Sequence, residues 1–146
     1  MADMTTKLVP VTDVCEVERA KGGKTYPAGT CYVTLSAAHD TVLRLSEDGP
    51  IETRYAAIVP RDAADADYLK VVLDRAFPRW LESHRTGINL KFEELPSLCV
   101  EWHNDQERRS EVVEASRRID ELVEAESRTI EGLKGLKSYM LLRMFV

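Results

Sequence analysis

Residues 104–146 read NDQERRSEVVEASRRIDELVEAESRTIEGLKGLKSYMLLRMFV, a stretch without proline and with only two glycines. Its apolar side chains recur at steps of about 3.5 residues over roughly four heptads, which is typical of a coiled-coil seam. The pattern therefore predicts one long helix with a dimer interface along one face. The seam consists of Val112, Ala115, Ile119, Leu122, Val123, Ile130, Leu133, Leu136, Met140 and Met144.

The start and the length of this helix follow from the same residues. Asn104 or Asp105 is the expected N-cap, and Glu107 places a carboxylate in the first turn. Glu126 interrupts the seam, and the two glycines weaken the helix by about 1 kcal/mol each relative to alanine. A helix of some 40 residues is about 60 Å long, whereas a domain of 100 residues has a radius of gyration of about 13 Å. We expect part of the seam to meet another chain. The alternative is that the helix folds back on its own domain.

Residues 7–101 combine stretches in which apolar residues alternate, as in strands, with a stretch in which they recur every three or four residues, as in a helix. This mixture predicts an α and β domain. Alternating β-branched and aromatic residues predict strands at 30–37, 41–46, 53–60 and 98–102, and EDGP at 47–50 has turn chemistry. Between residues 64 and 84, apolar side chains at three and four spacing predict an amphipathic helix, which Pro78 should divide into two pieces. The fold class is therefore α+β, with residues 1–103 as one domain and residues 104–146 as a long helix.

Amino-acid composition and net charge exclude some classes of function. Hydrophobic residues make up 44% of the 146 residues, charged residues 31%, and the net charge is −5. A globular core is expected, and the acidic balance argues against unselective coating of nucleic acid. Three cysteines without a CxxC pair predict buried, reduced thiols in a cytoplasmic protein. No apolar run approaches the length of a membrane span, and the N-terminal residues do not resemble a signal peptide.

The sequence contains little that would carry catalysis. It has no GxGxxG, HExxH or GxSxG motif, and AKGGKTYPAGT at 20–30 lacks the lysine and hydroxyl spacing of a phosphate loop. Its carboxylates lie mostly in helical surface runs, and the three histidines are scattered. We expect no catalytic residue, no metal and no cofactor.

Positive charge is concentrated in two islands. Residues 19–38 contain three cations and no carboxylate, and residues 75–92 contain four cations and one carboxylate, Glu82. Both islands are rich in Gly, Thr, Tyr, His and Asn, the side chains that accompany phosphate contacts and base-edge hydrogen bonds. On residue counts alone, dispersed solvated charge is the favoured interpretation.

The sequence as a whole resembles one half of a DNA-specificity (S) subunit of a type I restriction-modification enzyme. The resemblance begins with KLVPVTDVCEVERAKGGKTYPAGTCYVTLSAAHDTVLRL (7–45), which is similar to the opening of the family's recognition domain. It continues through RYAAIVP (54–60), YLKVVL (68–73), TGIN (86–89) and FEELPSLCV (92–100). Gln106 corresponds to the glutamine that starts the family's long helix. LKGLKSYMLLRMF (133–145) is similar to the end of its spacer helix and is the most specific piece.

The resemblance implies an α+β target recognition domain that grips double-stranded DNA and a long helix that pairs antiparallel with a second one. It implies a protein that does no chemistry itself and docks methyltransferase and restriction subunits, which carry the S-adenosylmethionine and ATP chemistry. The chain departs from the family in having one recognition domain and one helix, and its recognition part is short. It is then either a half-subunit that forms a homodimer or a degenerate relative, a dimerisation or interaction module that no longer reads DNA.

The two islands and the resemblance together give a set of expected DNA contacts. We expect Arg85 to reach phosphate or a guanine edge, Asn89 to pair with adenine, and Gly87 to supply a backbone conformation that a β-carbon would forbid. Lys21 and Lys24 are expected to contact phosphate. The full set is Lys21, Lys24, Thr25, Tyr26, Ser36, His39, Arg54, Arg79, His84, Arg85, Thr86, Gly87 and Asn89.

Overall fold

The computed structural model describes residues 6–36, 38–84, 87 and 90–145. Its helices are α1 (Val11–Val14), α2 (Ala66–His84) and α3 (Gln106–Met144), with 3-10 helices at Ala63–Asp65 and Phe92–Ser97. Its strands are β1 (Thr6–Pro10), β2 (Cys15–Arg19), β3 (Thr25–Tyr26), β4 (Cys31–Thr34), β5 (Leu43–Arg44), β6 (Gly49–Pro50), β7 (Tyr55–Pro60) and β8 (Cys99–His103). The chain divides into two compact units, one up to Ser110 and one from Glu111 on.

The strands of the first unit form three antiparallel sheets. The largest has the order β2-β7-β4-β5, with Val17 opposite Ile58 and Cys31 opposite the same residue on the other side. The pairs β1-β8 and β3-β6 form two smaller sheets. Strand β7 is therefore central, and its ends determine where the neighbouring loops emerge.

The core covers both faces of β7. Ala56, Ala57 and Ile58 are all fully buried. Because successive side chains of a strand point to opposite faces, both faces of β7 are packed against other residues. One face belongs to a small cluster of Ala20, Tyr26, Ile51 and Ala57. The larger part of the buried set comes from α2, β8 and the segment before β8: Leu69, Leu73, Phe77, Leu95, Leu98 and Val100.

Helix α2 runs without interruption from Ala66 to His84, so the prediction that Pro78 divides it was wrong. Proline removes one backbone donor and its ring crowds the carbonyl four residues earlier, at a cost of about 3 kcal/mol in a helix interior. Phe77, Trp80 and Leu81, directly beside Pro78, are buried, and this packing holds both halves as one helix. Tertiary packing outweighs the local penalty here.

The other predicted elements are confirmed with bounds that differ by one or more residues. The predicted strands at 30–37, 53–60 and 98–102 correspond to β4, β7 and β8, while the one at 41–46 is reduced to β5. The predicted turn at 47–50 ends in the short strand β6, which pairs with β3. Cys15 and Cys31 are buried free thiols as predicted, and Cys99 is half-buried.

Helix α3 begins at Gln106, as the resemblance implies, and Asp105 is its cap. The Asp105 side chain accepts from the Glu107 N–H at 3.0 Å, and its carbonyl accepts from the Arg109 N–H at 3.1 Å. Helix α3 has no buried residue among those described.

Candidate nucleic-acid interface and helix face

Three loops leave the same end of the main sheet. Strand β2 ends at Arg19 opposite Ala56, and β4 ends at Thr34 opposite Tyr55, where β7 begins. Backbone hydrogen bonds tie these loops together: Ala20 N donates to Tyr55 O at 3.0 Å, and Leu35 N donates to Arg54 O at 3.4 Å. We call this surface the loop end of the sheet; it consists of residues 20–25, 35, 36, 38–40, 52–54 and 90.

Residue 90 belongs to this surface because Leu90 N donates to Leu35 O at 3.2 Å. Leu90 directly follows the TGIN stretch, which comes from the second basic island. The described backbone thus anchors the end of the second island beside loops of the first, although some 50 residues separate them in sequence. Lys21, Lys24, Thr25, Ser36, His39 and Arg54 lie on this one end of the sheet.

The loop of residues 20–25 is organised by Tyr26, whose side chain is only 1% exposed. Its hydroxyl donates to Glu18 Oε1 at 2.8 Å and accepts from the Lys21 N–H at 3.1 Å. Burial raises the pKa of Tyr26. Tyr26 therefore holds the loop from inside, and the conformation does not present its ring for the DNA contact that we expected from it.

Glu18 neutralises part of the first island. Lys24 Nζ lies 2.5 Å from Glu18 Oε1 and 5.0 Å from the Tyr26 ring centre, and Lys21 Nζ lies 3.7 Å from Glu18 Oε2. The hydrogen bonds from Lys24 and Tyr26 lower the pKa of Glu18, which keeps its carboxylate charged. The count of residues 19–38 missed this carboxylate by a single position, and no local pattern in the sequence marks it as the partner of Lys24.

Arg54 and the turn of residues 36–39 lie beside that loop. The Arg54 side chain is 66% exposed, pairs with Glu52 at 2.9 Å and stacks 4.9 Å above the Tyr55 ring. His39 is exposed, and its N–H donates to Ser36 O at 3.4 Å, which closes the turn. Arg54 is thus held over an aromatic ring with its charge reaching solvent, a suitable position for a phosphate contact.

The remaining expected contacts belong to α2 and the stretch after it. His84, at the C-terminal end of α2, stacks on Trp80 with 4.6 Å between ring centres, and its Nδ1 lies 2.9 Å from the Trp80 carbonyl oxygen. That oxygen only accepts, so a hydrogen bond between the two atoms requires a proton on Nδ1. Arg79 is exposed on the same helix.

Gly87 has φ +79°, the left-handed conformation that the sequence predicted for it, and no described atom lies within 4 Å of where a β-carbon would stand. Backbone strain, rather than lack of space, therefore selects glycine there. The predictions for Arg85, Thr86 and Asn89 fall outside the described residues.

The apolar face of α3 is open in the single chain. Ile119, Leu122, Val123, Ile130, Leu133, Leu136, Met140 and Met144 are each between 50% and 70% exposed, and Val112 is half-buried. Soluble monomers rarely leave so many large apolar side chains in one row exposed to water, and such rows mark interaction surfaces. The arrangement fits the interface that the periodicity predicts.

The residues that the structure describes contain no group of three or more His, Cys, Asp or Glu side chains arranged to hold a metal ion. Within the same ranges, no helix combines the length and the apolar character needed to cross a membrane.

The fold is similar to known S-subunit structures. The S subunit of the type I restriction-modification system from M. genitalium superposes with a TM-score of 0.70 and 12% identity, over 85% of this chain and 41% of that one. A chain from a structure on complex assembly and conformational transition of the type I R-M system superposes with a TM-score of 0.71 and 16% identity, over 88% and 42%. No family model and no curated protein matches the sequence.

This chain therefore spans about two fifths of the length of the chains it resembles. The likeness extends over more than four fifths of the present chain, whose sheet-rich part is followed by the long helix α3. The resemblance read from the sequence is thus confirmed at the level of the fold: the chain has the α+β architecture of one part of a type I restriction-modification S subunit.

Proposed function

We propose that this protein is a half-length DNA-specificity subunit of a type I restriction-modification system. Residues 1–103 act as the target recognition domain and residues 104–146 as the spacer helix. Two copies pair antiparallel through the exposed face of α3, and the complex recruits methyltransferase and restriction subunits. The protein itself is non-catalytic and carries no cofactor.

The observation that carries this proposal is the fold match together with the convergence of loops at the loop end of the sheet. Lys21, Lys24, Arg54 and His39 come from three separate parts of the sequence and meet on one surface. Convergent cations on loops supply phosphate contacts, and neighbouring polar side chains read base edges. Arg85, Thr86, Gly87 and Asn89 complete the proposed DNA-contacting set from the stretch that leads into Leu90.

The second candidate is an interaction module of the same fold that pairs with itself and no longer reads DNA. Two observations favour it: the net charge is −5, and Lys21, Lys24 and Arg54 each pair with a carboxylate of the same chain. Internal pairing lowers the positive potential that attracts DNA. A DNA-binding measurement separates the two candidates.

Arg54 and Arg61 make a matched pair of variants for that measurement. They flank β7, so they lie at opposite ends of the same strand, about 20 Å apart. Both are more than half exposed and both have a carboxylate neighbour, Glu52 and Glu16. Arg54→Ala should weaken binding to duplex DNA and reduce the salt slope by about 1, because one phosphate contact is lost, whereas Arg61→Ala should leave the slope unchanged.

The assay is fluorescence anisotropy on duplex DNA of mixed sequence, from about 50 to 200 mM salt. A parent protein that does not bind at low salt would favour the interaction module. Equal effects of Arg54→Ala and Arg61→Ala would mean that the loop end of the sheet is not the contact surface. Arg85→Ala extends the test to the second island, where relaxed sequence preference is expected in addition to weaker binding.

A further inference from the structure

Glu126 is a carboxylate at a seam position of α3. Glu114, Glu124 and Glu131 each pair with a cation one turn away on the same helix, at distances from 2.5 to 3.5 Å. Glu126 has no such pair within the described residues, because its neighbours at three and four positions are Leu122, Val123, Thr129 and Ile130. A charged group thus lies in the middle of an apolar face without a partner from its own helix.

Thr129 is a further polar residue on that face, and Arg143 near the end of the helix is a third. With Ile119 at heptad position a, the a positions are occupied by Val112, Ile119, Glu126, Leu133 and Met140. The d positions are occupied by Ala115, Leu122, Thr129, Leu136 and Arg143. Glu126 and Thr129 are therefore consecutive seam positions, and in the single chain the Thr129 hydroxyl donates to Ala125 O at 3.1 Å. Both lie near the middle of α3.

Parallel pairing of two α3 helices would place like charges opposite each other in the seam. In a parallel two-stranded coil each a position faces the a position of the other chain. Glu126 would then face Glu126 of the second copy, and two like charges in an apolar seam repel each other. Antiparallel pairing, in which a faces d, removes this direct apposition and weakens the repulsion, because the two carboxylates then lie in different layers of the seam.

Only one antiparallel register joins the two polar residues. When Ile119 faces Leu136 and Leu122 faces Leu133 of the second copy, Glu126 faces Thr129. A shift of one heptad in either direction sets Glu126 against Leu122 or against Leu136 instead. A carboxylate buried against leucine lacks a hydrogen-bond donor and is costly, whereas a threonine hydroxyl supplies one.

The flanking positions agree with this register. Val123 comes beside Ile130 of the second copy, so the apolar surface widens symmetrically around the polar pair. Arg118 comes beside Tyr139, which permits a cation–π contact. Ala125 comes beside Gly132, and two such small residues allow the helices to approach closely. Ile130 and Tyr139 are 50% and 54% exposed in the single chain, where the Arg143 guanidinium already lies 5.7 Å from the Tyr139 ring centre on one side.

We infer that α3 binds a second copy of this chain in the antiparallel register that sets Glu126 against Thr129, and that this polar layer selects the register. The layer occurs twice, related by the two-fold axis, and each Thr129 hydroxyl turns from its own helix to donate to the opposite carboxylate. This inference rests on the proposed homodimer and adds its register and the residues that specify it. A single polar position in an apolar seam has this effect in other coiled coils, at some cost in stability.

Spin labels on a cysteine at position 117 measure the register directly. The full-length protein would carry Arg117→Cys and Cys99→Ser, with labelling of the folded chain, in which Cys15 and Cys31 are buried. At 1.5 Å per residue, the inferred register separates the two labels by about 32 Å along the axis, and the two shifted registers by about 21 and 42 Å. Parallel pairing would bring the labels within about 20 Å of each other. Protein without the cysteine at 117 is the blank.

The expected result is a single distance of about 38 Å for the parent, which combines the axial offset of about 32 Å with a separation of about 20 Å across the pair. Glu126→Leu should add the populations of the shifted registers, because leucine no longer distinguishes them, while association becomes about tenfold tighter. Thr129→Val keeps the shape and removes the hydroxyl, so association should weaken about tenfold. Glu124→Leu is the control, since position 124 faces away from the seam, and it should keep the single distance.

Each other outcome contradicts the inference in a distinguishable way. A parent distance of about 29 or about 47 Å, the values for the two shifted registers, gives the wrong register while the proposed dimer stands. A single unchanged distance in Glu126→Leu, or unchanged association in Thr129→Val, means that the polar layer does not select the register. Absence of any intermolecular distance shows a monomer and overturns the proposed homodimer as well.

Discussion

At the scale of single residues, Glu18 determines how much positive charge the first basic island presents. Its carboxylate is bonded to Lys24 and to the Tyr26 hydroxyl, and Lys21 is close by. The same contacts that hold the loop in shape therefore reduce its attraction for phosphate. Arg54, whose ion pair with Glu52 is far more exposed, is the stronger candidate for a DNA contact because exposed pairs contribute little and are easily exchanged.

The Tyr26 hydroxyl gives the first prediction. Tyr26→Phe should destabilise the fold by about 1 kcal/mol at neutral pH, because the Lys21 N–H and Glu18 each lose a buried hydrogen-bond partner. Urea unfolding measures the effect. Tyr32→Phe removes the same atom from a hydroxyl without a hydrogen bond in the described residues, and it should change stability much less.

The cost of Tyr26→Phe should also depend on pH. Hydrogen bonds from Lys24 and Tyr26 lower the pKa of Glu18 from its ordinary 4.5. A lowered pKa in the folded state gives stability that is present above pH 4.5 and is lost as pH falls through the lowered value. The difference between parent and variant should therefore shrink in acid, and a difference that grows on acidification would contradict the role of Glu18.

The cysteines give a second prediction at this scale. Burial raises the pKa of Cys15 to about 12 and that of Cys31 to about 11, so both thiols stay protonated and unreactive near neutral pH. A thiol reagent should label one group, Cys99, quickly in the folded protein and the other two only after unfolding. In Cys99→Ser the fast phase should disappear; two fast groups in the parent would mean that the core opens readily.

At the scale of elements, Arg109 fixes the first turn of α3 to the rest of the first unit. Its Nε donates to Asp65 at 3.1 Å, its Nη1 donates to His103 O at 2.7 Å, and its guanidinium lies 5.6 Å from the Trp102 ring centre. The side chains of Arg109 and Asp65 are 15% and 16% exposed. This pair is shielded from water, unlike the exposed pairs farther along α3.

Replacing Arg109 should therefore cost more than replacing another arginine of the same helix. Arg109→Ala should lower the free energy of unfolding by about 2 kcal/mol, because Asp65 keeps a shielded charge without its partner. Arg118→Ala, whose pair with Glu114 is exposed, should cost less than about 1 kcal/mol. Chemical denaturation measures the free energy of unfolding of both variants. Equal losses would show that the shielded pair stabilises the fold no more than an exposed pair does.

The elements also show which parts of the fold are readable from sequence. Strands β4 and β7, helix α2 and helix α3 carry their own periodicity, so local pattern was sufficient for them. Strands β1 and β2 were missed, because TKLVP is mostly exposed and CEVER is half charged. Both are strands only through pairing, β1 with β8 and β2 with β7, and partners at such sequence separations leave no local signal. The continuity of α2 through Pro78 was likewise determined by packing.

At the scale of the whole molecule, the candidate site was predictable in its residue types and not in its arrangement. The basic islands and the TGIN stretch are visible in the sequence. Their meeting point depends on the antiparallel register of β2, β7 and β4 and on the hydrogen bond from Leu90 to Leu35. The partner Glu18 is equally a product of the fold, since its carboxylate reaches Lys24 across the loop.

The exposed face of α3 gives the last prediction, which concerns the assembly. Ile119→Asp together with Leu133→Asp should convert a dimer into a monomer, because both charges would be buried in the seam without partners. The two side chains are 59% and 60% exposed in the single chain, so the substitutions should leave the fold of the first unit intact. Sedimentation equilibrium at tens of micromolar measures the mass, and circular dichroism checks that unit. Ser127→Asp with Ser138→Asp adds the same charge on the outer face and should keep the dimer. If the parent is already monomeric, or if both double variants dissociate equally, the seam is not the contact between copies.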